Sequence, residues 1–240
     1  MYNRYVMKEI RRGMKNGIPI ALGYLSVSFS FGAIAVSMGF SVIQAVLISL
    51  LNLTSAGQFA SLGIIAGQGT YLEMAIVELT VNIRYAFMSL SLSQKVDEKF
   101  KGIYKWLLSF FITDEIFAVA IQNPGKIKRN YFAGLTIVPI IGWTIGTLGG
   151  ALMGNILPAI ITNALGVALY GMFIAVVVPK AREDSHVFIA VCIAIAISTV
   201  LKYAPVFANL SGGFAIIICT VAASLIAAIV FPVEVNEDEL

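Results

Sequence analysis

Long apolar runs separated by short charged loops are the feature that most constrains how this chain can fold. A membrane-spanning helix needs about 20 predominantly apolar residues, and eight segments come close to or exceed that length. Nearly all of the lysines and arginines lie between the segments, which is the segregation that a bilayer imposes. The pattern predicts an all-α polytopic membrane protein. The segments are 17–40, 42–67, 70–93, 104–122, 131–153, 155–179, 186–203 and 207–231.

The composition excludes several other classes of protein. Hydrophobic residues make up 59% of the 240 residues and charged residues only 12%, whereas about a quarter of a soluble domain is charged. The net charge of +3 is too small to indicate a nucleic-acid partner. The first apolar run is too long for a signal peptide. We therefore predict a basic N-terminus at 1–16, one transmembrane domain at 17–232 and an acidic tail at 233–240.

No residue pattern typical of an enzyme or a cofactor site is present in the sequence. Cys192 and Cys219 lie inside apolar runs without metal-ligand spacing, which favours small side chains that are buried or face lipid. His186 follows Glu183 and Asp184 in a loop and is expected to be solvated. Phosphate-binding and dinucleotide-binding motifs are also missing. The sequence predicts no enzymatic activity, no metal and no cofactor.

The basic loops predict the topology. The basic residues from Arg4 to Lys15 should keep the N-terminus in the cytoplasm, and the loops at 95–105, 126–129 and 180–182 are basic as well. If every segment crossed once, the loop at 95–105 would lie outside the cell. We therefore predict that 42–67 and 104–122 enter and return as pairs of short helices joined by irregular backbone. About six full spans then remain, in a bacterial inner membrane, with the acidic tail inside.

Polar residues in the middle of the second segment support a broken helix. Irregular backbone at membrane depth is tolerated where protein or a water-filled cavity satisfies its polar groups, and in transporters such breaks line the substrate site. Small residues are also common where membrane helices pack closely. Both interpretations, a substrate site and helix packing, stay open for this group of residues: Asn52, Thr54, Ser55, Gly57 and Gln58.

The third segment carries a second polar group. Glu78, Asn82 and Tyr85 fall on one helical face, and Arg84 can face the same interior. One interpretation is a polar lining in which Arg84 meets a carboxylate, and the other is a structural ion pair that joins two helices. Nearer the segment ends, Glu73 and Lys202 are expected at the membrane interface.

Two adjacent acids interrupt the fourth segment. Asp114 and Glu115 point about 100° apart on a regular helix, so a shared ligand would require a break in the backbone. One acid can pair with Arg84 while the other takes up a proton, or both can be interfacial acids of a re-entrant hairpin. Elsewhere, a series of glycines predicts a helix-packing seam. Its members are Gly142, Gly146, Gly149, Gly150 and Gly154.

Six short stretches occur along the chain: Gly17–Pro19, Leu22–Tyr24, Ser55–Phe59, Val81–Tyr85, Phe111–Glu115, and Phe173–Ala175 before Pro179. In this order they resemble the AzlC/YgaZ family, the large subunits of branched-chain amino acid exporters. The resemblance spans nearly the whole chain. One position departs from it, because many members have His where this chain has Tyr85, and we assign no proton-carrying role there.

The resemblance implies export of valine, leucine and isoleucine, with methionine as a further candidate. It also implies a separately encoded small membrane subunit of the AzlD/YgaH type. A zwitterion needs a cation or a helix N-terminus for its carboxylate, an acid for its ammonium and an apolar pocket for its side chain. Arg84 and the acids Asp114 and Glu115 could meet the two charges. The alternatives are a passive amino acid channel and a scaffold or sensor that transports nothing.

Overall fold

The computed structural model describes residues 2–154, 156, 160, 174, 177–179, 181–207 and 210–232, with the main chain alone at residues 2 and 3. No strand is assigned within these ranges, and Val96 and Ile127 form an isolated bridge. The all-α prediction is confirmed. The helices are α1 (Tyr2–Ser37), α2 (Val42–Leu51), α3 (Ser55–Ala66), α4 (Tyr71–Lys95), α5 (Ile103–Ser109), α6 (Asp114–Ile121), α7 (Arg129–Met153), α8 (Ser185–Tyr203) and α9 (Gly212–Val230), with a short 3₁₀ turn at Pro205–Phe207.

Five of these helices are long and apolar enough to cross a membrane, namely α1, α4, α7, α8 and α9. A sixth predicted span, 155–179, lies almost wholly outside the described residues, as does the tail at 233–240. The first helix is longer than the apolar run suggested. Helix α1 continues through the basic segment from residue 2, so the boundary expected at residue 17 lies within one helix.

The chain divides into two compact units. One contains residues 1–62 and 81–169, and the other contains residues 63–80 and 170–240, so the division passes through α3 and α4. In the first unit, α1 and α7 run parallel and in close contact. Added Cβ atoms at Gly134, Gly142 and Gly150 would lie 2.2, 2.7 and 1.9 Å from the carbonyl oxygens of Ile10, Ala21 and Phe29, respectively. Glycine is required at these positions because the two backbones touch.

The predicted glycine seam is therefore confirmed at four of its five positions. Gly146 and Gly154 also lie against α1, close to Ser28 and Ala33. Gly149 differs, because a Cβ atom there would meet only the ring of Phe29, at 3.6 Å. α1 contributes to the same seam through Gly13, Gly17 and Gly32, whose added Cβ atoms would lie 2.1–2.8 Å from α7 backbone oxygens.

Three basic segments meet at one end of the first unit, which we call the basic end. The parallel pairing places the starts of α1 and α7 there. The end of α4 joins them, because the main chain of Ile127 bonds to Lys95 and Asp97 at 2.8 and 2.9 Å. The N-terminal basic residues, the loop at 95–105 and the loop at 126–129 thus share one end, as the predicted topology requires.

The fourth predicted segment is a hairpin that starts and finishes at the basic end. The guanidinium of Arg129 lies 4.7 Å from the ring centroid of Tyr104 at the start of α5. At the other end of the hairpin, the ammonium of Lys95 donates to the carbonyl of Ile121, the last residue of α6. Irregular backbone at 110–113 joins the two helices. The predicted break is confirmed, whereas re-entry of this segment into the membrane stays a prediction.

The second predicted segment is also a hairpin, and it enters from the opposite end of α1 and α7. Ala45 of α2 and Leu62 of α3 pack in one cluster with Phe31, Ala35 and Ala151, near the last turns of α1 and α7. Irregular backbone at 52–54 joins α2 to α3, so the break falls at the predicted polar residues. The two hairpins therefore point their tips towards the middle of the α1–α7 pair.

The second unit contains α8, α9 and the first half of α4. The thiol of Cys219 donates to the carbonyl of Ala194, and the ring of His186 lies 4.5 Å from that of Phe231, so α8 and α9 are antiparallel. Glu73 is buried, and it accepts a hydrogen bond from Ser211, the N-cap of α9. An interfacial position for Glu73 stays a prediction, but its carboxylate lies within the protein.

Candidate functional site

An ion pair joins α4 to the tip of the α5–α6 hairpin. Nη2 of Arg84 lies 2.9 Å from Oδ2 of Asp114, and both side chains are about two-fifths exposed. The same guanidinium donates to the hydroxyl of Tyr85 at 3.4 Å. The break at 110–113 allows this geometry, because Asp114 is the first residue of α6 and lies at a helix end that favours negative charge.

Glu115 has a different partner, although it is adjacent in sequence to Asp114. Its Oε2 lies 2.5 Å from the hydroxyl of Tyr24 in α1, and that hydroxyl is also 2.5 Å from Oγ1 of Thr113. Thr113 is the N-cap of α6 and accepts from the main-chain N–H of Ile116. The two acids are thus held by different elements, Asp114 by α4 and Glu115 by α1.

A buried chain of hydrogen bonds joins the α2–α3 hairpin to α7. The indole N–H of Trp143 donates to Oε1 of Gln58 at 3.1 Å, and Nε2 of Gln58 donates to Ser49 at 3.0 Å. The Ser49 hydroxyl is 2.6 Å from that of Thr147. Gln58, Ser49 and Thr147 are fully buried, and burying such groups is costly unless they are paired. Gln58 is therefore held rigidly in the structure.

The remaining predicted residues lie around these contacts. The hydroxyl of Thr54 donates to Oδ1 of Asn82 on α4 at 2.8 Å and accepts from the N–H of Gly57. Asn52 and Ser55 are half-buried on either side of the break. Tyr85 packs against the core cluster that also contains Ile112 and Ile116. Glu78 is half-buried one turn before Asn82, in the part of α4 that belongs to the second unit.

Two separate connections link the hairpin tips. One runs through α4, where Asn82 binds Thr54 and, half a turn further along, Arg84 pairs with Asp114. The other runs through α1 and α7, where the rings of Tyr24 and Trp143 meet edge to face at 5.1 Å. The structure therefore brings together polar residues of the second, third and fourth predicted segments. They lie at the level of the breaks in the second and fourth segments.

Sequence reasoning missed most of the second connection. Trp143, Ser49 and Thr147 were not predicted to be site residues, and Tyr24 entered only through a family motif. A signal for two of them was available, because a buried indole N–H or phenol hydroxyl usually has a hydrogen-bond partner. Trp143 and Tyr24 stand alone in apolar runs, and each of them does have such a partner.

The charges at the two tips differ in sign. The first turn of α3, from Ser55 to Gln58, contains no acid, so no side-chain charge within that turn offsets the partial positive charge of the helix N-terminus. The first turn of α6 contains two carboxylates. Within the described ranges, no group of three or more His, Cys, Asp or Glu side chains could hold a metal ion. The arrangement is suited to a small ligand that carries both charges.

Comparison with known proteins shows which family this chain belongs to. The family model described as AzlC protein matches residues 19–157, which include α1 from Pro19 onwards, both hairpins, α4 and α7. This chain belongs to the AzlC family. The matched region contains every residue of the site described above, so the resemblance seen in the sequence is confirmed. No solved structure matches the chain.

Relatives of this AzlC-family chain are named as membrane or transport proteins. It is 31% identical over 183 residues to an uncharacterized membrane protein of Archaeoglobus fulgidus, covering 75% of this chain and 80% of the relative. It is 26% identical to the inner membrane protein YgaZ of Escherichia coli, with coverage of 90% and 89%. The branched-chain amino acid transport protein AzlC of Bacillus subtilis is 24% identical, with coverage of 70% and 67%.

Proposed function

We propose that this chain is a secondary transporter that exports neutral branched-chain amino acids, driven by the proton gradient. Valine, leucine and isoleucine are the proposed cargo, with methionine as a further candidate. The observation that carries the proposal is the meeting of two broken helices of opposite local charge beside the Arg84–Asp114 pair. The name of the Bacillus subtilis relative supports the choice of substrate.

The opposite charges of the hairpin tips favour a zwitterion. Its carboxylate would lie near the N-terminus of α3, where Thr54 accepts a hydrogen bond from the N–H of Gly57 and the first turn contains no acid. Its ammonium would lie near Asp114 and Glu115. Arg84 forms an ion pair with Asp114, so a substrate ammonium would compete for that carboxylate while the substrate carboxylate approaches Arg84.

The apolar part of the cargo has suitable neighbours. Tyr85, Met88 and Phe117 are half-buried and pack beside the cluster formed around Ile112 and Ile116. Aliphatic side chains of the size of valine or leucine gain free energy by leaving water for such surroundings. Methionine side chains such as Met88 adapt to ligands of different shape, which agrees with several related substrates.

We assign proton coupling to Glu115. Asp114 is engaged by the Arg84 guanidinium, whereas the Glu115 side chain is exposed and is held by a neutral hydroxyl. Within the part of the chain that the structure describes, Glu115 has no cationic partner, and such an acid inside a membrane protein is suited to accept and release a proton. Export against a gradient would then require that proton binding and amino acid binding at the α6 tip influence each other.

Counterflow in liposomes tests the proposed transport. Purified protein, with and without a small AzlD/YgaH-type subunit, is reconstituted with unlabelled valine inside, and uptake of labelled valine is followed. Transient accumulation of label above equilibrium is expected, and alanine or lysine inside serves as the control. A passive channel would only equilibrate the label, and a scaffold or sensor would move none of it, so each alternative predicts a different time course.

Glu115→Gln tests the coupling. Glutamine mimics the protonated acid, so the variant should still exchange valine between the two faces of the liposome membrane but lose accumulation driven by a pH gradient. Asp114→Asn is the matched control, because it removes the neighbouring charge. Retention of pH-driven accumulation in Glu115→Gln would place the coupling group elsewhere.

A further inference from the structure

The hydroxyl of Tyr24 lies between the proposed coupling acid and the N-cap of α6. It is 2.5 Å from Oε2 of Glu115 and 2.5 Å from Oγ1 of Thr113. A phenol has one proton, so it can donate to one of these neighbours while it accepts from the other. An ionised carboxylate only accepts hydrogen bonds. When Glu115 is charged, Tyr24 therefore donates to Glu115 and accepts from Thr113.

Protonation of Glu115 reverses the direction of both hydrogen bonds. The added proton lies on Oε2 and is donated to the oxygen of Tyr24, and Tyr24 then donates to Oγ1 of Thr113. Thr113 can still accept from the N–H of Ile116, because a hydroxyl oxygen has two lone pairs. Only hydroxyl hydrogens rotate. The three side chains stay bonded in both states, and no heavy atom has to move.

We propose that Tyr24 is a positioning residue that lets Glu115 gain and lose a proton without releasing the α6 tip. The proposal rests on the coupling role assigned to Glu115. The ring of Tyr24 packs edge to face against Trp143 at 5.1 Å, and Trp143 is fixed in turn by Gln58. The hydroxyl is thus held at one place by the α1–α7 pair.

The other charged and titratable groups around Glu115 have partners of their own. On α4, Arg84 pairs with Asp114 and donates to Tyr85. Asp114, on the same helix as Glu115, is the acid in that pair. From α7, Tyr131 packs in the same core cluster as Ile116, and its hydroxyl accepts a hydrogen bond from Asn16. Among the residues that the structure describes, Tyr24 is therefore the group that supplies a hydrogen bond to the Glu115 carboxylate.

The substitution Tyr24→Phe tests the proposal, because it keeps the ring and removes the hydroxyl. Charged Glu115 then loses a donor, whereas the neutral acid can turn its O–H group to another acceptor. The pH titration of the protein in liposomes is followed by infrared difference spectroscopy, and the carboxyl band of Glu115 is the one that Glu115→Gln removes. Its midpoint should move to higher pH by about one unit, a tenfold change in proton binding.

Tyr131→Phe is the matched control, because it also removes a phenol hydroxyl from a hydrogen bond, and that hydroxyl bonds Asn16 and not Glu115. It should leave the midpoint unchanged. An unchanged midpoint in Tyr24→Phe, an equal shift in Tyr131→Phe, or a Glu115 band that does not titrate would each overturn the proposal. Valine counterflow is measured in the same liposomes. If wild-type protein moves no valine, the proposed function fails, while the infrared result still decides the role of Tyr24.

Discussion

Arg84 is paired with Asp114 and not with the adjacent Glu115, and its Nη2 lies 2.9 Å from the Asp114 carboxylate. One residue along α6 turns the next side chain by about 100°, which directs Glu115 to Tyr24 on α1. Two neighbouring acids therefore hold the same hairpin tip from two sides. Asp114 is held by an ion pair, and Glu115 is held by a hydrogen bond with a hydroxyl group.

Removing Arg84 should leave Asp114 without its cation and loosen the tip of the α5–α6 hairpin. The pair is about two-fifths exposed, so we expect a loss of function larger than the loss of stability. Arg84→Ala should lower valine counterflow about tenfold or more, since a charge inside a membrane is costly without its partner. Arg84→Ala with Asp114→Asn should recover part of the folded yield, measured by size-exclusion chromatography in detergent.

Lys202→Ala provides the control for the loss of one positive charge. Lys202 lies in the last turn of α8, with its ammonium 5.7 Å from the ring centroid of Tyr203, and its removal should leave counterflow and yield near those of the wild type. Normal counterflow in Arg84→Ala would show that the ion pair has no part in transport.

The α1–α7 seam predicts different effects of the same substitution at two adjacent glycines. A Cβ atom at Gly150 would lie 1.9 Å from the carbonyl oxygen of Phe29, whereas one at Gly149 would meet only the Phe29 ring, at 3.6 Å. Gly150→Ala should therefore destabilise the protein by about 1–3 kcal/mol or more. Gly149→Ala should have little effect or a small stabilising one. Thermal unfolding in detergent distinguishes the two, and equal melting temperatures would contradict the close approach of the two backbones at Gly150.

The arrangement of the basic end predicts that two loops are hidden from outside reagents. In a variant without native cysteines, Lys99→Cys and Lys126→Cys should resist an impermeant thiol reagent in intact cells, because both loops are expected in the cytoplasm. Met38→Cys, after α1 at the opposite end, should react. Since the end of α4 is bonded to the loop before α7, through Lys95 and Ile127, labelling of only one of the two loops would contradict the structure.

A second glycine pair tests the contact between Glu73 and α9. A Cβ atom at Gly213 would lie 2.4 Å from Oε1 of Glu73, whereas one at Gly212 would meet nothing within 4 Å. Gly213→Ala should displace the carboxylate from Ser211 and cost about 1 kcal/mol for the lost hydrogen bond. Gly212→Ala should cost less. Adding Glu73→Ala to Gly213→Ala should relieve the clash, and a melting temperature that does not recover would argue against it.

The positions of the helix breaks could be predicted from sequence, because polar residues and basic loops leave a local signal. Thr54 and Asp114 both interrupt apolar runs. Thr54 is the last residue of the irregular backbone before α3, and Asp114 is the first residue of α6 after irregular backbone. The glycine seam could also be predicted, because a series of glycines in one apolar run is a local signal of close helix packing. The helix that packs against it could not, since glycine spacing indicates a close contact without naming the partner.

The contacts between tips could not be predicted, because they depend on distant parts of the chain. Tyr24 and Trp143 meet through the parallel pairing of α1 and α7, and no local pattern in either helix specifies the other. Arg84 pairs with Asp114 and not with Glu115, and this pairing depends on where α6 begins. A shift of one residue in that break would exchange the partners, and element boundaries are the least certain part of sequence analysis.

The glycine seam also has a consequence for the synthesis of the protein. Asn16 of α1 and Tyr131 of α7 are joined by a hydrogen bond although they are 115 residues apart. At about 5–20 residues per second, α1 enters the membrane on the order of ten seconds before its partner has been made. During that interval its bare glycine face is covered by lipid or by the insertion machinery. The most tightly packed contact in the first unit is therefore among the last to form, and substitutions in it should be recognised by quality control before they affect transport.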